Sequence, residues 1–152
     1  MLDNKKVLVS FYTRTNKTEK VAKDLASRLK ADIDQIIDIK DYSGIIGFIK
    51  AGFAAFSKRT TQIQTSKDPS KYDLVIICSP VWSGTIPPAI RTYCNDFEIP
   101  QSAWLFTCGD PKTTVKNLPI TTNSVRTIYK MDSLKIEKNE YQDELKEFIS
   151  MI

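Results

Sequence analysis

The chain has 152 residues, 41% of them hydrophobic and 26% charged, and a net charge of +4. That length suits a single domain over residues 1–152 with one sizeable core. It contains no histidine, which excludes Ser-His-Asp hydrolysis and histidine-ligated zinc chemistry and removes the commonest general base.

Lysine and arginine are scattered, with Lys58-Arg59 among the longest basic runs. The excess reads as a solvated basic surface, and no nucleic-acid partner is expected. No apolar run approaches the ~20 residues that span a bilayer, so no transmembrane segment is expected. The first residues, MLDNKK, lead straight into a strand pattern without a secretory signal. Cys78, Cys94 and Cys108 show no Cys-x-x-Cys spacing. An odd count without a framework predicts reduced thiols and a cytoplasmic setting.

In chain order, Val7-Leu8-Val9-Ser10-Phe11 predicts a buried strand. A hydroxyl-rich loop follows, Thr13-Arg14-Thr15-Asn16-Lys17-Thr18. The spacing of Val21, Ala22, Leu25, Ala26 and Leu29 predicts a helix from about Asn16 to Lys30, with Glu19–Lys23 and Asp24–Arg28 as i,i+4 pairs on its wet side. Ile33, Ile36, Ile37 and Ile39 predict a second strand. A helix is expected over Ile45 to Phe56, its apolar face made for core packing or, alternatively, for a membrane surface. The connector from Ser57 to Lys71 carries no clear pattern.

Leu74 to Cys78 is a continuous apolar run, the signature of a central parallel strand covered on both faces. After the loop Ser79 to Thr85, Pro87 and Pro88 open a helix through Tyr93. Ala103 to Thr107 reads as the next strand, ending at Cys108-Gly109-Asp110-Pro111. A short helix is expected within Lys112 to Thr122, and a strand over Val125 to Tyr129. Asn139 with Gln142 suggests a capping box. The last helix carries Tyr141, Leu145, Phe148, Ile149 and Ile152 on one face.

Strands alternating with helices imply right-handed crossovers and a parallel sheet, with ligands bound beyond the carboxyl ends of the strands. The loops after the first, third and fourth strands should therefore open on one edge. The first of them has the parts of an anion site. The opening turn of a helix offers unpaired N–H groups and a positive dipole end. The hydroxyls of Thr13, Thr15 and Thr18 and the charges of Arg14 and Lys17 can add to it. It matches neither a Walker loop nor a Gly-x-Gly-x-x-Gly fingerprint. The plainer alternative is a loop with a threonine cap.

The segments Tyr12 to Thr18 and Asp73 to Gly84, in this order and spacing, resemble the flavodoxin-like family across nearly the whole chain. The resemblance implies an α/β three-layer sandwich with a five-stranded parallel sheet, order 2-1-3-4-5, and one bound FMN. It assigns Thr13, Arg14, Thr15, Asn16, Lys17 and Thr18 to the phosphate loop, with Asn16 where relatives often have glycine. Pro80, Val81, Trp82, Ser83 and Gly84 match the loop beside the isoalloxazine ring, with Trp82 against the flavin. Thr107, Cys108, Gly109 and Asp110 match the loop that approaches the pyrimidine side. Trp82 as a core or partner-contact residue is the alternative, and Cys78 and Cys108 are read as packing residues or as a redox pair.

Three functions stay open. The first is a flavin-dependent oxidoreductase using a nicotinamide donor, NADH or NADPH, and a quinone or similar acceptor. The second is an electron carrier between protein partners. The third is a non-redox interaction module, since fold does not fix function. The first two require no catalytic side chain, because the flavin itself is the redox centre.

Overall fold

A computed structural model describes residues 2–39, 60–119 and 124–152. The helix expected over Ile45–Phe56 lies outside them. Strand β1, Val7–Phe11, is buried along its whole length. Helix α1, Lys17–Leu29, follows and buries Thr18, Val21, Ala22, Leu25 and Ala26. It stops where Lys30 turns left-handed, at φ 49°, and Ala31 N–H bonds back to Ala26, a common helix terminus. Of the two expected surface pairs, Glu19–Lys23 forms at 2.6 Å. Asp24 instead accepts from the hydroxyl of Tyr141 and from Gln142 Nε2, because the start of the last helix meets that side of α1.

The second expected strand is divided. Strand β2, Asp32–Gln35, runs parallel to β1. Strand β3, Ile37–Asp38, turns away and pairs antiparallel with β4, Ile63–Gln64. The buried Asp34 carboxylate explains the division, since it accepts bonds from Ser66 Oγ at 2.6 Å and Lys67 N–H at 3.0 Å. Those bonds draw the connector across the end of β2. The connector thus holds β4 and a 3₁₀ turn, Pro69–Lys71, started by Asp68. A two-residue strand has no periodicity to read.

Strand β5, Leu74–Pro80, is central, and helix α2, Pro88–Asp96, begins at its expected proline. Strand β6 is Ser102–Cys108 and β7 is Val125–Asp132. All four strand pairs of the main sheet are parallel, in the order β2-β1-β5-β6-β7. Counted along the main sheet alone, that order is 2-1-3-4-5.

The described part of Lys112–Thr122 contains no helix. Lys116 N–H bonds to the Gly84 carbonyl at 2.8 Å, and Lys116 forms a parallel bridge with Thr85. These loop-to-loop bonds engage the backbone that a helix would need for itself.

Beyond β7 an unanticipated helix, α3, spans Ser133–Glu137, with Asp132 capping Leu134 N–H at 2.8 Å. Asn139 does not cap the last helix. It ends α3 in a left-handed conformation, φ 62°, where Glu140 N–H returns to Lys135. Helix α4, Gln142–Met151, starts after Tyr141 without a side-chain cap.

Apolar side chains divide between the two faces of the sheet. Val7, Val9, Phe11, Leu74, Ile76, Ala103 and Leu105 pack against α1 and α4. Leu8, Val75, Ile77, Trp104 and Phe106 pack with Ile90 and Tyr93 of α2. Helices therefore cover both faces. No helix among the described residues is long and apolar enough to cross a membrane.

Candidate functional site

Because β1, β5 and β6 are parallel neighbours, the loops after them emerge together at the carboxyl edge. They enclose a cavity of about 160 Å³ lined by Arg14, Thr15, Lys17, Thr18, Pro80, Val81, Trp82, Thr107, Cys108, Gly109 and Ser133. No carboxylate is among the described residues that line it. Ten of the residues singled out in the sequence thus meet in one place. Thr13, Asn16, Ser83, Gly84 and Asp110 are not on its wall.

On the first loop, Asn16 precedes α1 in a left-handed conformation, φ 64°, and its side chain makes no capping bond. Asparagine tolerates that backbone better than most residues. The first turn of α1 therefore has no side-chain acceptor from its cap. Thr13 Oγ1 is buried and without a hydrogen-bond partner. A buried polar atom left unpaired is costly, and such an exception calls for a ligand, a water or a functional reason. The Thr18 hydroxyl is already engaged, sharing a 2.8 Å bond with Thr107 Oγ1 on β6. Lys17 forms an ion pair with Glu137 of α3.

The second loop begins at Pro80 and turns sharply at Ser83-Gly84. Both residues have positive φ, 50° and 73°. Trp82 and Thr85 exchange backbone bonds of 2.8 and 3.0 Å across them. A two-residue turn with both central φ positive favours glycine. At Gly84 it is this backbone, not space, that demands it, since an added Cβ would meet only Thr114 O at 3.9 Å. Trp82 is 8% exposed and meets Tyr12 edge-on, with ring centroids 5.5 Å apart. It therefore anchors the loop in the core and lines the cavity at once.

On the third loop, a Cβ at Gly109 would meet no atom within 4 Å. Asp110 points to its own turn and accepts from Lys112 N–H at 2.9 Å. Ser133, which the sequence reading missed, donates to the Cys108 carbonyl at 2.9 Å. The Asp132-Ser133 pair ahead of Leu134 was a usable helix-start signal. Cys78, Cys94 and Cys108 are all free and buried. Burial pushes the Cys78 thiol up to about 12 and raises that of Cys108 as well. Both are thiols rather than thiolates at neutral pH, which suits packing and not dithiol exchange.

A second cavity, of about 490 Å³, is lined by Ser83, Gly84, Thr85, Thr113, Thr114, Lys116 and Asn117. The turn at Ser83-Gly84 stands between the two cavities, with Trp82 on the first and its neighbours on the second.

The donor set of the first cavity fits a phosphate: hydroxyls, the cations of Arg14 and of Lys17, which is shared with Glu137, and an uncapped helix start, with no carboxylate among the described residues of the wall.

No family model and no curated protein matches the sequence. Solved structures do match in shape. A Lactobacillus acidophilus flavoprotein, solved in complex with FMN, has a TM-score of 0.70 at 23% identity, over 88% of this chain and 97% of that one. An NADH:FMN oxidoreductase in its apo form gives 0.60 at 13% identity, over 96% and 86%. A flavodoxin, WrbA-like protein from Agrobacterium tumefaciens gives 0.51 at 9%, over 97% and 98%. With its five-stranded parallel sheet in the order β2-β1-β5-β6-β7, the chain has the flavodoxin-like fold.

Proposed function

We propose that this chain is an FMN-binding redox protein and that it works as a flavin-dependent oxidoreductase, taking electrons from NADH or NADPH and passing them to a quinone or a similar small acceptor. The observation that carries the reading is the first cavity, where hydroxyls and cations gather at an uncapped helix start with no carboxylate among the described wall residues. Two of the similar structures supply the chemistry by analogy, one bound to FMN and one an NADH:FMN oxidoreductase.

In this reading Thr15, Arg14 and Lys17, with the first amides of α1, hold the phosphate of FMN, and the buried Thr13 hydroxyl behind the wall turns to it when the loop closes on the ligand. Asn16 gives the loop its left-handed bend. Thr18 and Thr107 lock the start of α1 to β6. Pro80, Val81 and Trp82 form an apolar wall that orients the ring and excludes water. Gly109 leaves room for close approach. When bound, FMN supplies the hydride and electron transfer, which requires no acid–base side chain from the protein. The cytoplasmic setting belongs to the same reading and is supported by three buried free thiols.

Titration following flavin fluorescence tests the cofactor. FMN should bind near one per chain and much more tightly than riboflavin. Thr15→Ala should weaken FMN by ~1.5–3 kcal/mol, the scale of a hydrogen bond to a charged group. Equal affinity for FMN and riboflavin would overturn the phosphate assignment. The FMN-loaded protein should then oxidise NADH or NADPH with a quinone over many turnovers. Reduction only through another protein would make it a carrier instead.

A further inference from the structure

We propose that Glu137 is an internal counter-anion of the phosphate loop: it holds the Lys17 ammonium while the site is empty and competes for it with an incoming phosphate. This rests on the FMN reading and names a residue, outside the cavity wall, that sets how tightly the phosphate is held.

Lys17 is the first residue of α1 and stands on the wall of the first cavity. Its ammonium pairs with the Glu137 carboxylate, which comes from α3, far along the chain. That helix is not a loose arm. At its start, Ser133 lies on the same wall and donates to Cys108 O at 2.9 Å. In its middle, Ile136 is 1% exposed, in one core cluster with Val21 and Leu25 of α1. Lys20, one turn after Lys17, donates to the Ile136 carbonyl at 3.4 Å. At its end, Asn139 turns left-handed and Glu140 N–H returns to Lys135 O at 2.8 Å. The backbone that carries Glu137 is therefore fixed beside the loop.

A carboxylate in that place acts on a phosphate in three ways. It occupies the ammonium that the loop offers. It repels the phosphate's own charge, ~−1.5 to −2 at neutral pH, since both anions border one cation. Against these, it orders the lysine side chain in advance. Exposure decides which effect wins. The Lys17 side chain is 32% exposed and that of Glu137 50%, and so exposed a pair contributes little and orders its lysine weakly. Repulsion between like charges acts whichever way the lysine points. Glu137 is thus a positioning residue that works through Lys17, and its net effect is to loosen the phosphate.

Glu137→Gln tests this, because it removes the charge and keeps the size of the side chain. The variant should bind FMN about three- to tenfold more tightly and riboflavin, which has no phosphate, as the parent does. Inorganic phosphate, followed at the ¹⁵N amides of Thr15, Lys17 and Thr18 without flavin, should gain by a similar factor. FMN binding should also weaken more steeply with added salt, because the loop then has more net positive charge. Glu140→Gln changes the net charge of the chain equally and should leave both affinities within about twofold of the parent. A variant that has lost structure cannot bind more tightly, so a gain is not an artefact of misfolding. Unchanged or weaker FMN and phosphate binding in Glu137→Gln, an equal gain for riboflavin, or the same gain in Glu140→Gln would each overturn the proposal. A parent that binds FMN no better than riboflavin would overturn the cofactor's phosphate assignment, and the flavin-free phosphate titration would still judge Glu137 by itself.

Discussion

The two faces of the sheet are built from different materials. The face under α1 and α4 is mainly aliphatic along its strands: Val7, Val9, Leu74, Ile76 and Leu105, all essentially buried. The opposite face holds Trp104, Phe106, Tyr93 and Trp82, and its polar atoms are paired. Ser10 and Tyr93 hydroxyls share a 2.8 Å bond, and Trp104 Nε1 donates to Ser102 Oγ at 3.1 Å. The first face gains its stability from area removed from water, which is non-directional. The second gains it from large rings that must also satisfy a hydrogen bond. The candidate site draws on both. Thr18 and Thr107 reach it from the aliphatic side, and Trp82 reaches it from the aromatic side.

Trp104→Ala should have the largest effect. It removes a fully buried ring and leaves Ser102 with one partner fewer, so a loss of about 3–5 kcal/mol is expected from denaturant titration. Leu105→Ala, its neighbour on the aliphatic face, should cost at most a similar amount. If Leu105→Ala proved the costlier, the aromatic face would not be the more demanding one.

The hydroxyl pair sharpens the contrast. Tyr93→Phe keeps the ring but strands Ser10, at a cost of about 1–3 kcal/mol. Adding Ser10→Ala should recover part of that loss, and additive costs in the double-mutant cycle would show that the bond contributes nothing.

Base should weaken both faces alike. Cys78 lies on the aliphatic side and Cys94 on the aromatic side, and burial raises each thiol from 9.0 to about 12. Because the folded values exceed the unfolded ones, the contribution is intact below pH 9.0 and is lost as pH rises toward 12. Denaturation midpoints should fall over that range, and Cys78→Ala should flatten the fall. An unchanged slope in that variant would mean that the thiol is solvated.

The smallest change should come from the wet side of α1. Lys23→Met breaks the pair with Glu19 and should cost about 0.3–0.5 kcal/mol, less at high salt. A loss comparable to that of Tyr93→Phe would show that this surface is not the passive one the contrast assumes.

Where apolar runs are long, local pattern was enough. The continuous run of β5, the stripe on α1 and the face of α4 can each be read without a partner, because burial on one or two faces dictates the residues. The hydroxyl loop was legible for a related reason, since strand, polar loop and helix start are contiguous in the chain. Ten residues from three strand ends and the loops and helix start that follow them then line one cavity because β1, β5 and β6 run parallel and end on the same edge.

Other features depend on contacts across the chain. The division of the second strand rests on Asp34 meeting Ser66 and Lys67, and the missing helix before Pro119 rests on Lys116 meeting Gly84. Asn139 could have opened a helix or closed one, and only the bond from Glu140 to Lys135 decides that it closes α3. The sequence by itself determined the main strands, their buried faces and the polar loop, because each follows from periodicity and from groups adjacent in the chain. Tertiary structure alone decided the breaks, the turn that holds Trp82, the part taken by Ser133 and the second cavity. The reason is that backbone donors and acceptors must be satisfied, and their partners lie many residues away where no local pattern records them.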